Sequence, residues 1–319
     1  MIKVSVIVPV YNGENTICAC IESLLSQSLE EMEIIAVNDG STDSTAEILA
    51  SYGDRITVLT QKNAGQGAAR NAGIQIAGGE YIGFVDADDT VDWNLYREMY
   101  QAAKNENCEV VQCGICDIRE DGSRTERAAF SDCVEITDRA DYIYRYFYQN
   151  LHTFEMCNKL VKKSFLTENG LSFGDTQKYF SEDLKLNAEM LLYLKRICFL
   201  EVCGYHYYIR SSGHFLSGKN EKIPKITALF EDVLNRPMEE NTRKSLECTA
   251  ALTLLLYCRE AALTDPDYAK KALRNQSLRR YITTSMTYRS KPKHFLLYLL
   301  LRYAPAGLVI RLIRIFMAY

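Results

Sequence analysis

Asp86, Asp88 and Asp89 crowd three carboxylates into four residues directly after the apolar run Tyr81-Ile82-Gly83-Phe84-Val85. At neutral pH such a cluster repels itself unless a cation neutralises it. Oxygen donors with no neighbouring histidine or thiolate favour Mg²⁺ or Mn²⁺, ions that commonly keep open positions for substrate phosphates. Two other polar stretches follow apolar runs in the same way. Pro9-Val10-Tyr11-Asn12 comes after residues 4–8, and Asn38-Asp39-Gly40-Ser41 after residues 33–37. Each alone also reads as an ordinary turn leading into a helix. Further on, Glu182-Asp183 opens a segment with Leu184, Leu191 and Leu192 on one side. An acidic pair in a first helical turn is also what a helix dipole favours.

The elements that must carry these residues alternate. Continuous β-branched runs at 4–8, 33–37, 56–59 and 81–85 predict strands buried on both faces. Between them, Ile17, Ile21, Leu24 and Leu25 fall at helical spacing, and Ser44 with Glu47 forms a capping-box pattern. Residues 68–76 predict a third helix. Buried strands joined by helical crossovers make a parallel α/β sheet, and such sheets bind ligands at the carboxyl ends of their strands. The three polar stretches all lie at those ends.

In chain order the segments Pro9-Val10-Tyr11-Asn12-x-Glu14, Asn38-Asp39-Gly40-Ser41-Thr42-Asp43, Asn63-x-Gly65-x-x-x-Ala69-Arg70-Asn71-x-Gly73 and Asp86-x-Asp88-Asp89 strongly resemble the family 2 glycosyltransferases of the GT-A fold. The match covers most of residues 3–120. A second block, the residues from Asn158 to Phe165 followed by Glu182-Asp183, resembles that family's acceptor side. The resemblance implies a mostly parallel, Rossmann-like sheet flanked by helices, and transfer of a sugar from a nucleotide-diphosphate donor with inversion. It implies that Asp88 ligates Mn²⁺ or Mg²⁺ and that Asp86 contacts the ribose or the same ion. Asp39 would accept from the nucleobase, Pro9 and Tyr11 would line the base pocket, and Glu14 belongs to the same motif. Arg70 would stand near the nucleotide and the metal-site acids. An inverting transferase needs a general base opposite the leaving group, and Asp183 is its candidate. His214 and Ser217, in the looser stretch after the strand at 205–210, would meet the diphosphate.

Composition sets the surroundings. The 319 residues are 47% hydrophobic and 24% charged, with six prolines and 17 glycines, which excludes collagen-like and low-complexity chains. No fixed repeat suggests a solenoid. The N-terminal apolar stretch is too short for a signal peptide, so a cytoplasmic setting is expected. Eleven scattered cysteines suggest reduced thiols. Cys113-x-x-Cys116 lies inside a strand-like run, where core thiols are a better reading than zinc.

Charge is uneven. Lys and Arg number 37 against 41 Asp and Glu, but no acid lies beyond Asp267 while 11 basic residues do. Beyond residue 219 the pattern becomes helical, and 292–319 is apolar and basic without a run of about 20 apolar residues that would span a bilayer. An interfacial helix pair at an anionic membrane surface and an ordinary packing arm or homo-oligomer contact both fit it.

These expectations combine into a GT-A domain over 1–215, with a nucleotide-sugar half at about 1–120 and an acceptor half at about 121–215. A helical region over 216–319 follows, ending in the basic tail. The expected partners are a nucleotide-diphosphate sugar, of UDP type, and a saccharide or lipid-linked acceptor of surface polysaccharide or glycolipid synthesis, with no nucleic acid. The alternatives are a nucleotidyltransferase, which lacks a glycine-rich basic triphosphate signature, and a non-catalytic nucleotide-sugar-binding or membrane scaffold protein of the same fold.

Overall fold

The computed structural model describes residues 1–127, 129–210, 222–262 and 265–289, together with residues 296, 298, 299, 302 and 303. The described chain divides into two compact units. One comprises Met1–Thr137, His152–Thr176 and Glu182–Gly213; the other comprises Asp138–Leu151, Gln177–Ser181 and His214–Tyr319.

The first unit is a single sheet with helices packed on it. Its strands are β1 (Val4–Val10), β2 (Met32–Asn38), β3 (Thr57–Thr60), β4 (Tyr81–Phe84), β5 (Thr90–Val91), β6 (Val110–Arg119), β7 (Arg124–Arg127), β8 (Asp132–Glu135), β9 (Lys159–Lys162) and β10 (Arg196–Ile209). They run in the order β3-β2-β1-β4-β9-β6-β10-β5, with β7 on β6 and β8 on β10. The four strands expected from the β-branched runs are the parallel part, β3-β2-β1-β4. Burial on both faces does not extend to β3, which lies at the edge of the sheet with Thr57, Val58 and Thr60 exposed. Antiparallel β9 joins them to the parallel pair β6 and β10. The helices of this unit are α1 (Ile17–Leu25), α2 (Thr45–Ser51), α3 (Gln66–Ile76), α4 (Leu95–Asn105), α6 (Lys163–Glu168) and α7 (Glu182–Met190), α5 (Arg139–Tyr142) belonging to the other unit.

Strand β1 sits at the centre of the parallel part and is buried along its whole length. It contains a proline, which has no N–H for a ladder. The carbonyls of Lys3 and Ile7 accept from β4 and the residue after it, so Pro9, of the same parity, faces that side too. Pairing with β4 ends at Ile7, and the missing donor falls where no ladder remains to be served. The capping-box expectation is not met. Ser44 is the residue before α2, but its side chain makes no capping bond. Asp43 takes that work instead, its Oδ1 accepting from the Thr45 N–H at 3.0 Å and the Thr45 hydroxyl at 2.6 Å. Reduced thiols throughout are not found either, because Cys133 and Cys198 form a disulfide. Cys113 and Cys116 are free and buried on β6, as core thiols.

The second unit is helical: α5, the helical turn Ile143–Phe147, α8 (Lys222–Leu234), α9 (Glu240–Ala262), α10 (Pro266–Ala272) and α11 (Gln276–Arg289). Helix α9 is its spine, with α8, α10 and α11 packed against it. Among the described residues no helix is long and apolar enough to cross a membrane. Most of the basic tail lies outside the described residues; Leu296 and Tyr303 within it are exposed.

Helix α3 meets β1 through Gly73. A Cβ there would lie 2.6 Å from Cγ2 of Ile7, with two further Ile7 carbons within 3.2 Å. Ordinarily alanine stabilises a helix interior by about 1 kcal/mol over glycine. Overpacking against a stiff, fully buried isoleucine costs about 1–3 kcal/mol and outweighs it. Gly73→Ala should therefore lower the urea midpoint of unfolding, and the loss should be smaller when the same substitution is made in an Ile7→Ala background, which removes the clashing Cγ2.

Candidate active site

The loops at the carboxyl ends of the parallel strands are stitched to one another. Asn12, at φ +51°, accepts from the Thr42 N–H through Oδ1 at 2.8 Å, while its own N–H donates to the Ser41 hydroxyl at 2.9 Å. Glu14 accepts from the Ser44 N–H and donates its own N–H to Asp43. Asp39, buried at the end of β2, grips the loop before α3. Its Oδ1 accepts from Gln61 at 2.8 Å and from the Ala64 N–H at 2.9 Å, and its Oδ2 from the Gly65 N–H at 2.8 Å. Tyr11 is half exposed at the rim and Pro9 is buried beneath it in β1.

Gly65 and Gly67 serve the chain's own packing. Gly65 has φ +90°, and a Cβ on it would meet Oγ1 of Thr176 at 2.5 Å; a Cβ on Gly67 would meet the Gly174 carbonyl at 2.7 Å. Asn71 completes this contact by accepting from the Phe173 N–H at 2.9 Å and donating to the Phe173 carbonyl at 3.0 Å. The segment at 173–176 is thereby clamped to α3.

Arg70 occupies the centre. Its side chain is 2% exposed and reaches three carboxylates: Nη2 to Asp86 Oδ1 at 2.7 Å, Nη1 to Asp183 Oδ1 at 2.8 Å and to Glu182 Oε1 at 3.0 Å. The guanidinium also lies over the Phe173 ring, 5.1 Å from its centroid. Burial disfavours its charge, but Asp183, Asp86 and Glu182 outweigh burial and hold it protonated. Three acids against one cation leave a surplus of negative charge. Burial, with repulsion from Glu182 and Asp86, overcomes the pull of Arg70 and pushes the Asp183 carboxyl up to about 7.

Asp183 is fixed on both oxygens, since Oδ2 accepts from the Met156 N–H at 3.0 Å. The loop that presents this N–H is held from below by Lys159, buried on β9, whose Nζ donates to the carbonyls of Thr153 at 2.8 Å and Glu155 at 2.5 Å. Burial lowers that lysine to about 8. Asn187, one turn along α7, donates to the Asp183 carbonyl at 3.0 Å and to the Phe154 carbonyl at 2.7 Å.

The acidic run does not converge as a three-carboxylate cage. Asp89 turns inward, 1% exposed, and accepts from the Tyr205 hydroxyl at 2.7 Å and the Tyr208 N–H at 3.0 Å. Burial and the neighbouring Asp86 push its carboxyl up to about 8 despite those bonds. The Tyr205 hydroxyl also accepts from the Asp86 N–H, so Asp89 fixes the loop that presents the other two acids. Asp86 faces Arg70 and Gln66, both bound to its Oδ1 at 2.7 Å. Asp88 is about half exposed, with Arg210 Nε 4.0 Å from its Oδ2 and Arg210 Nη2 donating to its carbonyl.

The structure thus brings Arg70, Asp86 and Asp183 into one cluster, while Asp88, two residues beyond Asp86, is half exposed beside Arg210. Pro9, Tyr11, Glu14 and Asp39 belong to the adjoining loops. His214 and Ser217 lie outside the described residues. Sequence reasoning missed Gln66, Tyr205, Arg210 and the Met156 N–H as partners of these acids. The aromatic run from Tyr205 to Tyr208 on β10 was a usable signal for Tyr205, since every second residue of a strand faces one side and Tyr205 shares its face with Tyr207.

Residues 5–170 match the family model described as glycosyl transferase family 2. The chain is a family 2 glycosyltransferase. EpsH of Bacillus subtilis (strain 168) is 33% identical over 234 residues, covering 72% of this chain and 67% of the relative. The glycosyltransferase YibD of Escherichia coli (strain K12), itself uncharacterized, is 30% identical over 248 residues, 73% of this chain and 71% of that protein. A poly(ribitol-phosphate) beta-glucosyltransferase of Bacillus spizizenii is 30% identical over 241 residues, 73% of this chain and 36% of the relative. Among solved structures, S. aureus TarS 1-349 in complex with UDP-GlcNAc has a TM-score of 0.71 at 22% identity over 99% of this chain and 91% of that one. The mannosyltransferase PcManGT of Pyrobaculum calidifontis, in complex with GDP-Man and Mn²⁺, has a TM-score of 0.59 at 16% identity over 99% and 85%. At such identities these two neighbours establish the GT-A fold.

In this family 2 transferase, removing Arg70 leaves buried carboxylates without their cation. Breaking a buried pair by deleting one partner costs about 3–5 kcal/mol, so Arg70→Met should destabilise the chain by that order at pH 7. The remaining carboxyls would titrate above their unfolded values and stay neutral in acid. The deficit relative to the parent should therefore shrink between pH 7 and pH 5, as measured by urea unfolding at both.

Proposed function

We propose that this transferase moves a sugar, with inversion, from a nucleotide diphosphate of UDP type to a hydroxyl of a saccharide or lipid-linked acceptor in surface polysaccharide or glycolipid assembly. The observation that carries this reading is Asp183: a carboxylate held on both oxygens, raised to about 7, beside the acids of the nucleotide half. About half of such groups are ionised and able to take a proton at neutrality, where a free aspartate would be too weak a base. The acceptor oxygen attacks the anomeric carbon, the bond from that carbon to the diphosphate oxygen breaks, and the acceptor proton passes to Asp183.

The loops that Asp39, Asn12 and Glu14 knit together form the nucleotide side, with Tyr11 at its rim and Asp39 presenting remaining acceptor capacity to a base N–H. The donor set fits a hard divalent cation. Asp88 is half exposed, and Asp86 Oδ2 carries no hydrogen bond among the described residues. One or two carboxylates plus substrate phosphates is how Mg²⁺ and Mn²⁺ are commonly held. When bound, the ion would offset charge developing on the departing diphosphate. Arg70 keeps Asp86 and Asp183 in register, and the surplus negative charge around it favours a cation at the open side. UDP and UDP-GlcNAc bound to TarS, and GDP-Man with Mn²⁺ bound to PcManGT, support a nucleotide-sugar donor. The acid-free basic end supports attachment to an anionic lipid surface at the inner face of a membrane.

Asp183→Asn keeps shape but takes no proton. Transfer should fall by about 10²- to 10⁴-fold with donor affinity retained. In the parent, kcat/KM should fall tenfold per pH unit below about 7, as the base becomes protonated. Equal loss of donor affinity would assign Asp183 to binding instead. For the cation, Asp88→Asn should remove the Mn²⁺-dependent part of UDP affinity in calorimetry while the melting temperature in EDTA stays within about 2 °C of the parent, since its exposed carboxylate supports little of the fold.

A further inference from the structure

Three cysteine sulfurs meet away from the site described above. Cys108 lies between α4 and β6, Cys133 on β8 and Cys198 on β10, with Cys133 and Cys198 opposite each other in the antiparallel pairing. The Cys108 sulfur is 3.1 Å from that of Cys198 and 4.0 Å from that of Cys133. All three lie within 4.8 Å of one another, the only group of three or more such ligands that converges so closely among the described residues. Cys108 and Cys198 are buried, while Cys133 lies on the exposed strand β8. Cys133 and Cys198 are joined as a disulfide while Cys108 is free.

Cys108 is badly placed to exchange with that disulfide. An attacking thiolate in line behind Cys198, with an S–S bond of about 2 Å, would stand roughly 5 Å from Cys133. It stands 4.0 Å away, beside the pair, so the three sulfurs form a triangle. A tetrahedral zinc ion with Zn–S of about 2.3 Å spaces its sulfurs by about 3.8 Å. The Cys108 to Cys133 separation of 4.0 Å is already close to that, while the Cys108 to Cys198 separation must widen from 3.1 Å and the Cys133 to Cys198 pair must open once its bond is reduced.

We propose that the reduced chain binds one thiophilic divalent cation of the zinc class on Cys108, Cys133 and Cys198. Each thiol gives its proton to solvent, the three thiolates take three positions, and water takes the fourth. Three thiolates and one divalent cation sum to a single negative charge. Arg196, at the start of β10, is close enough for its charge to act on Cys108, and its Nε–H is buried without a partner, leaving a donor for a thiolate sulfur. The absence of carboxylate oxygens from the group selects against Mg²⁺ and Mn²⁺. The ion would tie β8, a four-residue strand paired to β10 alone, to β10 and the turn before β6. The Cys113-x-x-Cys116 pair singled out in the sequence takes no part.

The test uses the full chain, reduced with a phosphine under anaerobic conditions, loaded with Zn²⁺ or Co²⁺ and desalted. The parent and Cys116→Ser should each retain one zinc per chain by elemental analysis. The cobalt form of the parent should show an intense thiolate-to-cobalt charge-transfer band. Cys108→Ser, Cys133→Ser and Cys198→Ser should each fall from one ion to none. Failure of the reduced parent to take up either metal would overturn the proposal, as would retention of one zinc by any of the three variants. The parent's cobalt spectrum decides the matter even if a variant does not fold.

Discussion

A guanidinium with one-fiftieth of its surface in contact with water keeps its charge only when anions surround it, and Arg70 has three. Two of them, Glu182 and Asp183, come from more than a hundred residues further along the chain than Arg70 itself, and the third follows β4. A buried ion pair adds little net stability, because desolvation consumes much of its Coulombic gain. What it fixes here is position. The first turn of α7 and the loop after β4 must both arrive at α3, or a buried charge is left alone. Glycine at 65 and 67, and the paired bonds of Asn71 to the Phe173 backbone, bring the intervening segment close enough for that to happen.

The same cluster sets the chemistry of its members. One positive charge among three acids cannot satisfy all of them, and the imbalance is expressed at Asp183, which burial and its acidic neighbours raise to about 7. Asp86 is held by Arg70 and Gln66, while Asp88 is half exposed. Under the proposed function the carboxylate tuned toward neutrality would move the proton and the exposed one would meet a cation. The positions are supplied by elements far apart in sequence, so the division of roles depends on the fold rather than on either motif alone.

Much of this was legible in the sequence, for identifiable reasons. Runs such as residues 4–8 and 33–37 are buried on both faces, so β-branched continuity marked the parallel strands and placed the polar loops at their carboxyl ends. Arg70, Asp86 and Asp183 could be named because each sits in a motif of fixed spacing. The fate of Asp89 could not, because three adjacent acids look alike until Tyr205, 116 residues away, takes one of them inward. The cap on α2 was misassigned since Ser44 and Asp43 are both competent, and only the loop geometry that brings Glu14 to the Ser44 N–H decides between them. The meeting of Cys108, Cys133 and Cys198 depends on strand order across the sheet and leaves no local trace in the spacing of the cysteines.

The central claim is that burial among acids, incompletely offset by Arg70, makes Asp183 a base near neutrality. Carbon-detected NMR of aspartate labelled at the side-chain carboxyl, with the resonance assigned by its loss in Asp183→Asn, reads that titration in the resting protein. The account predicts a midpoint near 7. A midpoint at or below about 4, the ordinary aspartate range, would contradict it.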